Sequence, residues 1–184
     1  MTVVAVASAV LGGYHVPLPT VRDGVSAGVP FRRELPMISG VFLAAVRTSS
    51  LAVFEDVAGP AYFRMRTNLT LATVAAACLL SFAAEGGAAG TSLGIVFVRS
   101  MLIWYGLALL SERVLGAGLA WIFPVASVFP LVWLSEGDWW DWTAAPASDL
   151  TSWCLAGACL TLGVVMTAVT RRRLRSVLAI FDKS

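Results

Sequence analysis

Residues 92–110, SLGIVFVRSMLIWYGLALL, form an apolar run in which Arg99 is the single charge. A helix needs about 20 mostly apolar residues to cross the hydrocarbon core of a bilayer. The run therefore predicts a membrane-spanning helix. Three further stretches have the same character and predict three more spans: 67–84, 115–134 and 152–170.

The composition agrees with this assignment. The 184 residues are 58% hydrophobic and only 13% charged, with a mean hydropathy of +0.82. An ordinary soluble domain has about 25% charged residues, so this chain could not cover a globular surface with polar groups. We expect an all-α, polytopic bundle in which residues 1–184 form a single transmembrane domain.

Positive charges set the predicted orientation, because cytoplasmic flanks of spans are enriched in Lys and Arg. The last span runs into Arg171, Arg172, Arg173 and Arg175, which predicts a cytoplasmic C-terminus in a bacterial cell (plasma) membrane. The turn at 112–113 then lies inside, and the turn at 85–91 lies outside, as does the acidic 135–151 loop.

The 135–151 loop combines acidic residues with tryptophans. Tryptophan is enriched where apolar and aqueous surroundings meet, so these side chains predict a membrane-interface belt. The repeat DWWDW favours a short amphipathic helix or a re-entrant hairpin on the outer surface. The tryptophans in question are Trp139, Trp140, Trp142 and Trp153.

The first third of the chain leaves the number of spans open. Residues 1–14 are short for a span, and residues 35–54 are long enough but contain Arg47. If neither crosses, there are four spans and every loop obeys the charge rule. Hydrophobic length and the pairing of segments favour six spans, which is our prediction, although the 15–34 loop would then be outside and basic.

Motifs for catalysis are absent. The sequence has no GxxxxGK[ST], GxSxG or HExxH, a single histidine, and three cysteines without a CxxC pair. These absences predict no enzyme activity, no metal site and no cofactor in this chain. Nucleic-acid binding is not expected either, because the basic residues flank hydrophobic segments.

Arg99 is the clearest candidate for a functional side chain inside a span. A charge at that depth costs roughly 2.5–3.5 kcal/mol on insertion scales, so it needs a partner. One interpretation is a contact with an anionic group of a cargo or lipid, assisted by the nearby Trp104 and Tyr105. The other is a structural hydrogen bond to carbonyls or to Glu85.

Residues 48–66, TSSLAVFEDVAGPAYFRMR, precede the 67–84 span on its cytoplasmic side. An apolar and acidic turn, a Gly59-Pro60 breaker and a basic exit are typical of a short interfacial helix that docks a partner. An ordinary juxtamembrane connection is the alternative.

This arrangement resembles the six-helix permease subunits of ABC exporters, in which a cytoplasmic coupling helix docks on the ATPase. The stretch VRSMLIWYGLALLSERVLGAGLAWIFPV, with DWWDW downstream, is also similar to small actinobacterial membrane proteins described as ABC permeases. The resemblance covers about residues 35–170. It implies a docking surface at Phe54, Glu55, Asp56, Tyr62 and Arg64.

The resemblance further implies a cytoplasmic P-loop ATPase as partner, with ATP bound by that partner alone, and a homodimer or a heterodimer with another permease chain. The leading hypothesis is thus the transmembrane subunit of an ABC-type exporter for a hydrophobic or amphipathic cargo. The alternative is a non-transporting accessory, immunity or scaffold subunit of a larger complex.

Overall fold

The computed structural model describes residues 15–19, 26–30, 34–47, 60–133 and 140–181. The predicted helices are confirmed from residue 35 onward in this part of the chain, with a 3₁₀ turn at Ala117–Leu119 between the third and fourth helices. The helices are α1 (Leu35–Arg47), α2 (Pro60–Ala89), α3 (Thr91–Leu115), α4 (Ile122–Trp133) and α5 (Leu150–Phe181).

Two short strands precede the helices, where the sequence predicted only a loop. β1 (His15–Pro19) pairs with β2 (Ser26–Pro30) in an antiparallel hairpin that sets His15 opposite Pro30. Prolines end both strands, and Pro17 lies at the centre of β1; proline is tolerated in edge strands, and both strands of a two-stranded ribbon are edges.

Two of the helices are long and apolar enough to cross a membrane, over Thr67–Ala89 and Thr91–Leu115. The other described helices contain shorter apolar stretches at Leu35–Val46, Ile122–Leu131 and Leu150–Met166. Each of the four clearest predicted spans thus overlaps a helix. Six spans remain a prediction, and residues 1–14 lie outside the described residues.

The helix ends differ from the predicted turns, and glycine explains the difference. The predicted turn at 85–91 is wrong, since α2 continues to Ala89 and only Gly90 separates it from α3. Gly90 has φ +98° and ψ 153°, a region open essentially to glycine alone. Gly116, with φ +109°, ends α3 in the same way, so the turn predicted at 112–113 is also misplaced: those residues form the last turn of α3.

The stretch predicted as one span over 115–134 is divided into the 3₁₀ turn and α4. Ser111 joins the two parts: its hydroxyl donates to the carbonyl of Leu119 at 2.6 Å and accepts the N–H of Phe123 at 3.3 Å. Pro124 lies in the first turn of α4, where its missing N–H breaks no helical bond. Pro130 alone lies in the interior of α4.

α3 is the central helix and contacts the other four. Glycines bring two of its crossings unusually close. A Cβ built on Gly40 of α1 would lie 2.8 Å from the backbone nitrogen of Tyr105, and one on Gly106 would lie 2.6 Å from the carbonyl carbon of Cys159 on α5. Small residues at crossings are typical of helix packing in membranes.

The bundle buries polar side chains and exposes large apolar ones. Arg99, Ser100 and Ser111 of α3 are essentially inaccessible, while Leu79 of α2 is 70% exposed. Further large apolar side chains are exposed on every described helix, among them Phe42, Leu69, Leu71, Leu80, Val114, Phe129, Leu162, Val164 and Val165. The interior is mainly apolar as well, and the number of exposed large apolar side chains is what distinguishes this bundle from a soluble domain.

Candidate functional site

Arg99 lies two turns into α3 and is fully buried. Its guanidinium donates three hydrogen bonds, each 2.7 Å long: Nη1 to the carbonyl of Pro146, and Nη2 to the carbonyls of Trp142 and Ala145. Hydrogen bonds from a charged donor are the stronger kind. The charge inside the bundle is therefore stabilised by backbone dipoles of the segment 140–149.

The three accepting carbonyls are spaced as in the final turn of a helix. Residues 142, 145 and 146 follow the i, i+3, i+4 pattern, and the N–H of Ala145 donates to the carbonyl of Asp141 at 3.1 Å. Carbonyls at the end of such a turn lack partners and carry partial negative charge. The guanidinium of Arg99, which belongs to α3, supplies a positive charge to these three carbonyls.

Two aspartates shape the 140–149 segment. One oxygen of buried Asp141 accepts the N–H and the hydroxyl of Thr143 and the N–H of Ala144, which fixes the turn. Asp149 is the N-cap of α5 and accepts the hydroxyl and the N–H of Ser152.

The bonds from Ser152 hold the pKa of the Asp149 carboxyl below its usual value, and the Thr151 N–H and the charge of Arg99 act in the same direction. The lowered pKa keeps the Asp149 carboxyl ionised at neutral pH.

Aromatic contacts complete the cluster. Trp104 is fully buried, and its Nε1 donates to the hydroxyl of Ser127 on α4 at 3.0 Å. The rings of Trp104 and Trp142 meet edge to face with centroids 6.3 Å apart and planes at 74°. Trp142 also packs against the cluster formed by Ile103 and Ala156. It thus fills the space between α3 and α5.

Two buried donors in this cluster have no hydrogen-bond acceptor within the described part of the chain: Nε of Arg99 and Nε1 of Trp142. A buried donor without a partner loses its hydration and gains nothing in return. The 140–149 segment is therefore packed closely against the helices, but two buried N–H groups at this contact lack a hydrogen-bond acceptor among the described residues.

The structure brings together some predicted site residues and separates others. Arg99 and Trp104 share one cluster, whereas Tyr105 is buried on another side of α3, packed with Leu43 and Met101. Of the two interpretations of Arg99, the bonds to carbonyls agree with the structural one. The accepting carbonyls belong to the 140–149 segment. Glu85 is buried.

The predicted interface tryptophans also differ from one another. Trp140 is half-buried, Trp142 is mostly enclosed, and Trp153 is 37% exposed with its Nε1 donating to the carbonyl of Ala147 at 2.9 Å. Trp139 lies outside the described residues. Residues 140–149 are turns and not the short surface helix that was one of the two expected forms.

The predicted docking residues fall in two groups. Phe54, Glu55 and Asp56 lie outside the described residues. Tyr62 and the exposed Arg64 belong to the first two turns of α2, which begins at Pro60. Proline is favoured at the first position of a helix, so the predicted breaker starts a long helix.

Sequence reasoning missed the acceptors of Arg99, because a backbone carbonyl leaves no residue-specific signal. Two short patterns could have indicated an ordered segment: Asp141 two residues before Thr143, and Asp149 three residues before Ser152. Both are side-chain patterns for turns and helix starts.

Comparison with protein families, with curated proteins and with solved structures gives no match to this chain. Within the described residues, no group of three or more His, Cys, Asp or Glu side chains could hold a metal ion.

Proposed function

We propose that this chain is an integral protein of the bacterial plasma membrane and acts as the transmembrane subunit of an ABC-type exporter. The membrane assignment is supported by the exposed apolar side chains of the helices, which water would solvate poorly and lipid tails solvate well. In this topology the C-terminus is cytoplasmic and the 140–149 segment faces outward.

The continuity of α2 is the observation that carries the exporter hypothesis. This helix runs without interruption from Pro60, next to the proposed docking residues, to Ala89 and the Gly90 junction with α3. At 1.5 Å per residue its 30 residues extend about 45 Å. A displacement imposed by a cytoplasmic ATPase at 48–66 would therefore be transmitted along a rigid helix to the opposite end of the bundle.

The test is charge reversal of the docking residues. Glu55→Arg with Asp56→Arg should remove a co-purifying ATPase from the tagged complex, because acidic groups on the coupling segment would pair with basic groups on the partner. Asp182→Arg, a charge reversal in the C-terminal tail, is the matched control and should retain the ATPase. Retention by the double variant, or absence of any ATPase from the wild-type complex, contradicts the exporter hypothesis.

Orientation is tested separately in a background with all three cysteines replaced. A cysteine at the exposed Ser148 should react with an impermeant maleimide in intact cells, whereas one at Ser176 should react only after the membrane is opened. The opposite labelling pattern contradicts the orientation.

A second candidate is a non-transporting accessory, immunity or scaffold subunit. It is favoured by the internal use of Arg99, whose charge is directed at backbone carbonyls of the same chain. A wild-type complex that contains other membrane chains and no ATPase is the outcome that favours this candidate.

A further inference from the structure

The 140–149 segment packs closely on the helices, and its hydrogen bonds to α3 all come from one side chain. Arg99 holds its backbone by three hydrogen bonds, and Trp142 inserts between α3 and α5 against Trp104. Its internal fold depends on Asp141 and its exit on the Asp149 cap. Because residues 140–148 form turns, the segment can withdraw from Arg99 by pivoting at Asp149, without unwinding a helix.

The closed position hides the polar and aromatic groups beneath the segment. Arg99 and Trp104 are both 0% exposed. The same position leaves the Nε of Arg99 and the Nε1 of Trp142 buried without an acceptor among the described residues. Withdrawal of the segment would expose both donors to water or to a polar group, with which they can form hydrogen bonds. These new bonds offset part of the free energy lost on opening, so the open form lies closer in free energy to the closed form.

We propose that residues 140–149 form a reversible gate at the outward end of the bundle, plugged by Trp142 and latched by Arg99. Opening separates the carbonyls of residues 142, 145 and 146 from the guanidinium and uncovers Arg99 together with Trp104. In an exporter this gate would control release of an amphipathic cargo. The outward position and the cargo release rest on the proposed function, whereas the movement of the segment away from Arg99 does not.

Hydrogen exchange of the purified full chain in lipid nanodiscs, measured by mass spectrometry, tests the gate. In the wild type, amides of 142–148 should exchange faster than those of central α3, although several are hydrogen-bonded. Arg99→Gln should accelerate the segment by about tenfold or more, the factor expected for loss of a charge-assisted hydrogen bond, and leave α3 unchanged. Arg113→Gln, an exposed arginine at the other end of α3, should alter neither region.

Two outcomes overturn the proposal. If segment and α3 exchange equally slowly in the wild type, the segment does not open independently. If Arg99→Gln accelerates both regions together, or neither, Arg99 is not a latch.

Should Arg99→Gln fail to fold, Arg99→Lys and Trp142→Ala give the same comparison. Lysine keeps the charge but not the planar fork of donors, so an intermediate acceleration is expected. No ATPase or transport assay enters these measurements, so failure of the exporter hypothesis at Glu55 and Asp56 leaves the gate testable.

Discussion

Substitution of Gly106 by alanine tests how tightly α3 and α5 pack. An alanine Cβ at this position would lie 2.6 Å from the carbonyl carbon of Cys159 and 2.7 Å from its oxygen. Ordinary contacts of this kind are about 3.5–4.0 Å, so the helices would have to separate by about 1 Å. The obstructing atoms belong to the backbone, and no side-chain rotation relieves them.

The magnitude follows from two opposing effects. Overpacking of this kind destabilises by about 1–3 kcal/mol, whereas replacing glycine inside a helix stabilises by roughly 0.5–1 kcal/mol. The difference between the two ranges is about 0–2.5 kcal/mol. Because the obstructing atoms are backbone, we expect a net loss of about 1–2 kcal/mol, which in a chain of this size lowers the unfolding midpoint by about 2–8 °C.

Gly157 provides the matched control on α5. A Cβ built there meets no heavy atom within 4 Å. Gly157→Ala should therefore show only the gain in helix propensity of alanine over glycine, and it should raise the midpoint by about 1–4 °C. Thermal unfolding in detergent, followed by far-ultraviolet circular dichroism, measures both variants. A Gly106→Ala protein that melts at or above the wild-type midpoint refutes the close crossing.

Three further substitutions test individual contacts by the same melting assay. Asp149→Ala should lower the midpoint at pH 7. Because the pKa of the Asp149 carboxyl is depressed in the folded state, its contribution to the free energy of unfolding is complete above the usual Asp pKa of about 3.9. That contribution is lost as the pH falls through the lower pKa of the folded state. Asp149→Asn should abolish that pH dependence, and its persistence would assign it to another group. Ser111→Ala leaves the carbonyl of Leu119 and the N–H of Phe123 without their partner; two lost hydrogen bonds of about 0.5–1.5 kcal/mol each give a loss of about 1–3 kcal/mol, and a midpoint within error of wild type contradicts this. Trp104→Phe removes the donor to Ser127 and also shortens a fully buried ring, so the loss should exceed the about 0.5–1.5 kcal/mol of one hydrogen bond, because a cavity is left as well; a smaller loss contradicts the close packing around Trp104.

The helices were predictable from sequence because long apolar runs determine them with little help from tertiary contacts. The 92–110 run matches the centre of α3, and 67–84 lies within α2. Helix ends were less predictable. The glycines near 86–90 indicate a turn, yet only Gly90 adopts a left-handed φ, because Gly86 packs in the helix against Gly94 of α3.

The candidate site was predictable only in part. A lone arginine within an apolar run signals a buried charge that needs a partner, and Arg99 is such a residue. Its acceptors lie more than forty residues away in the sequence, and they are carbonyls, which any residue type provides. The docking residues 54–56 lie outside the described residues and stay a prediction.

The position of α3 at the centre of the bundle has a consequence for biosynthesis. α1 is synthesised before the helix against which it packs, and the Gly40 crossing cannot form until residues 101–105 have emerged. At about 5–20 residues per second this delay lasts seconds. In the proposed membrane protein, α1, which ends at Arg47, would spend that interval in the lipid or the insertion machinery without its partner. A bulky residue at Gly40 should therefore reduce the yield of correctly inserted protein more than it reduces the stability of the molecules that do assemble.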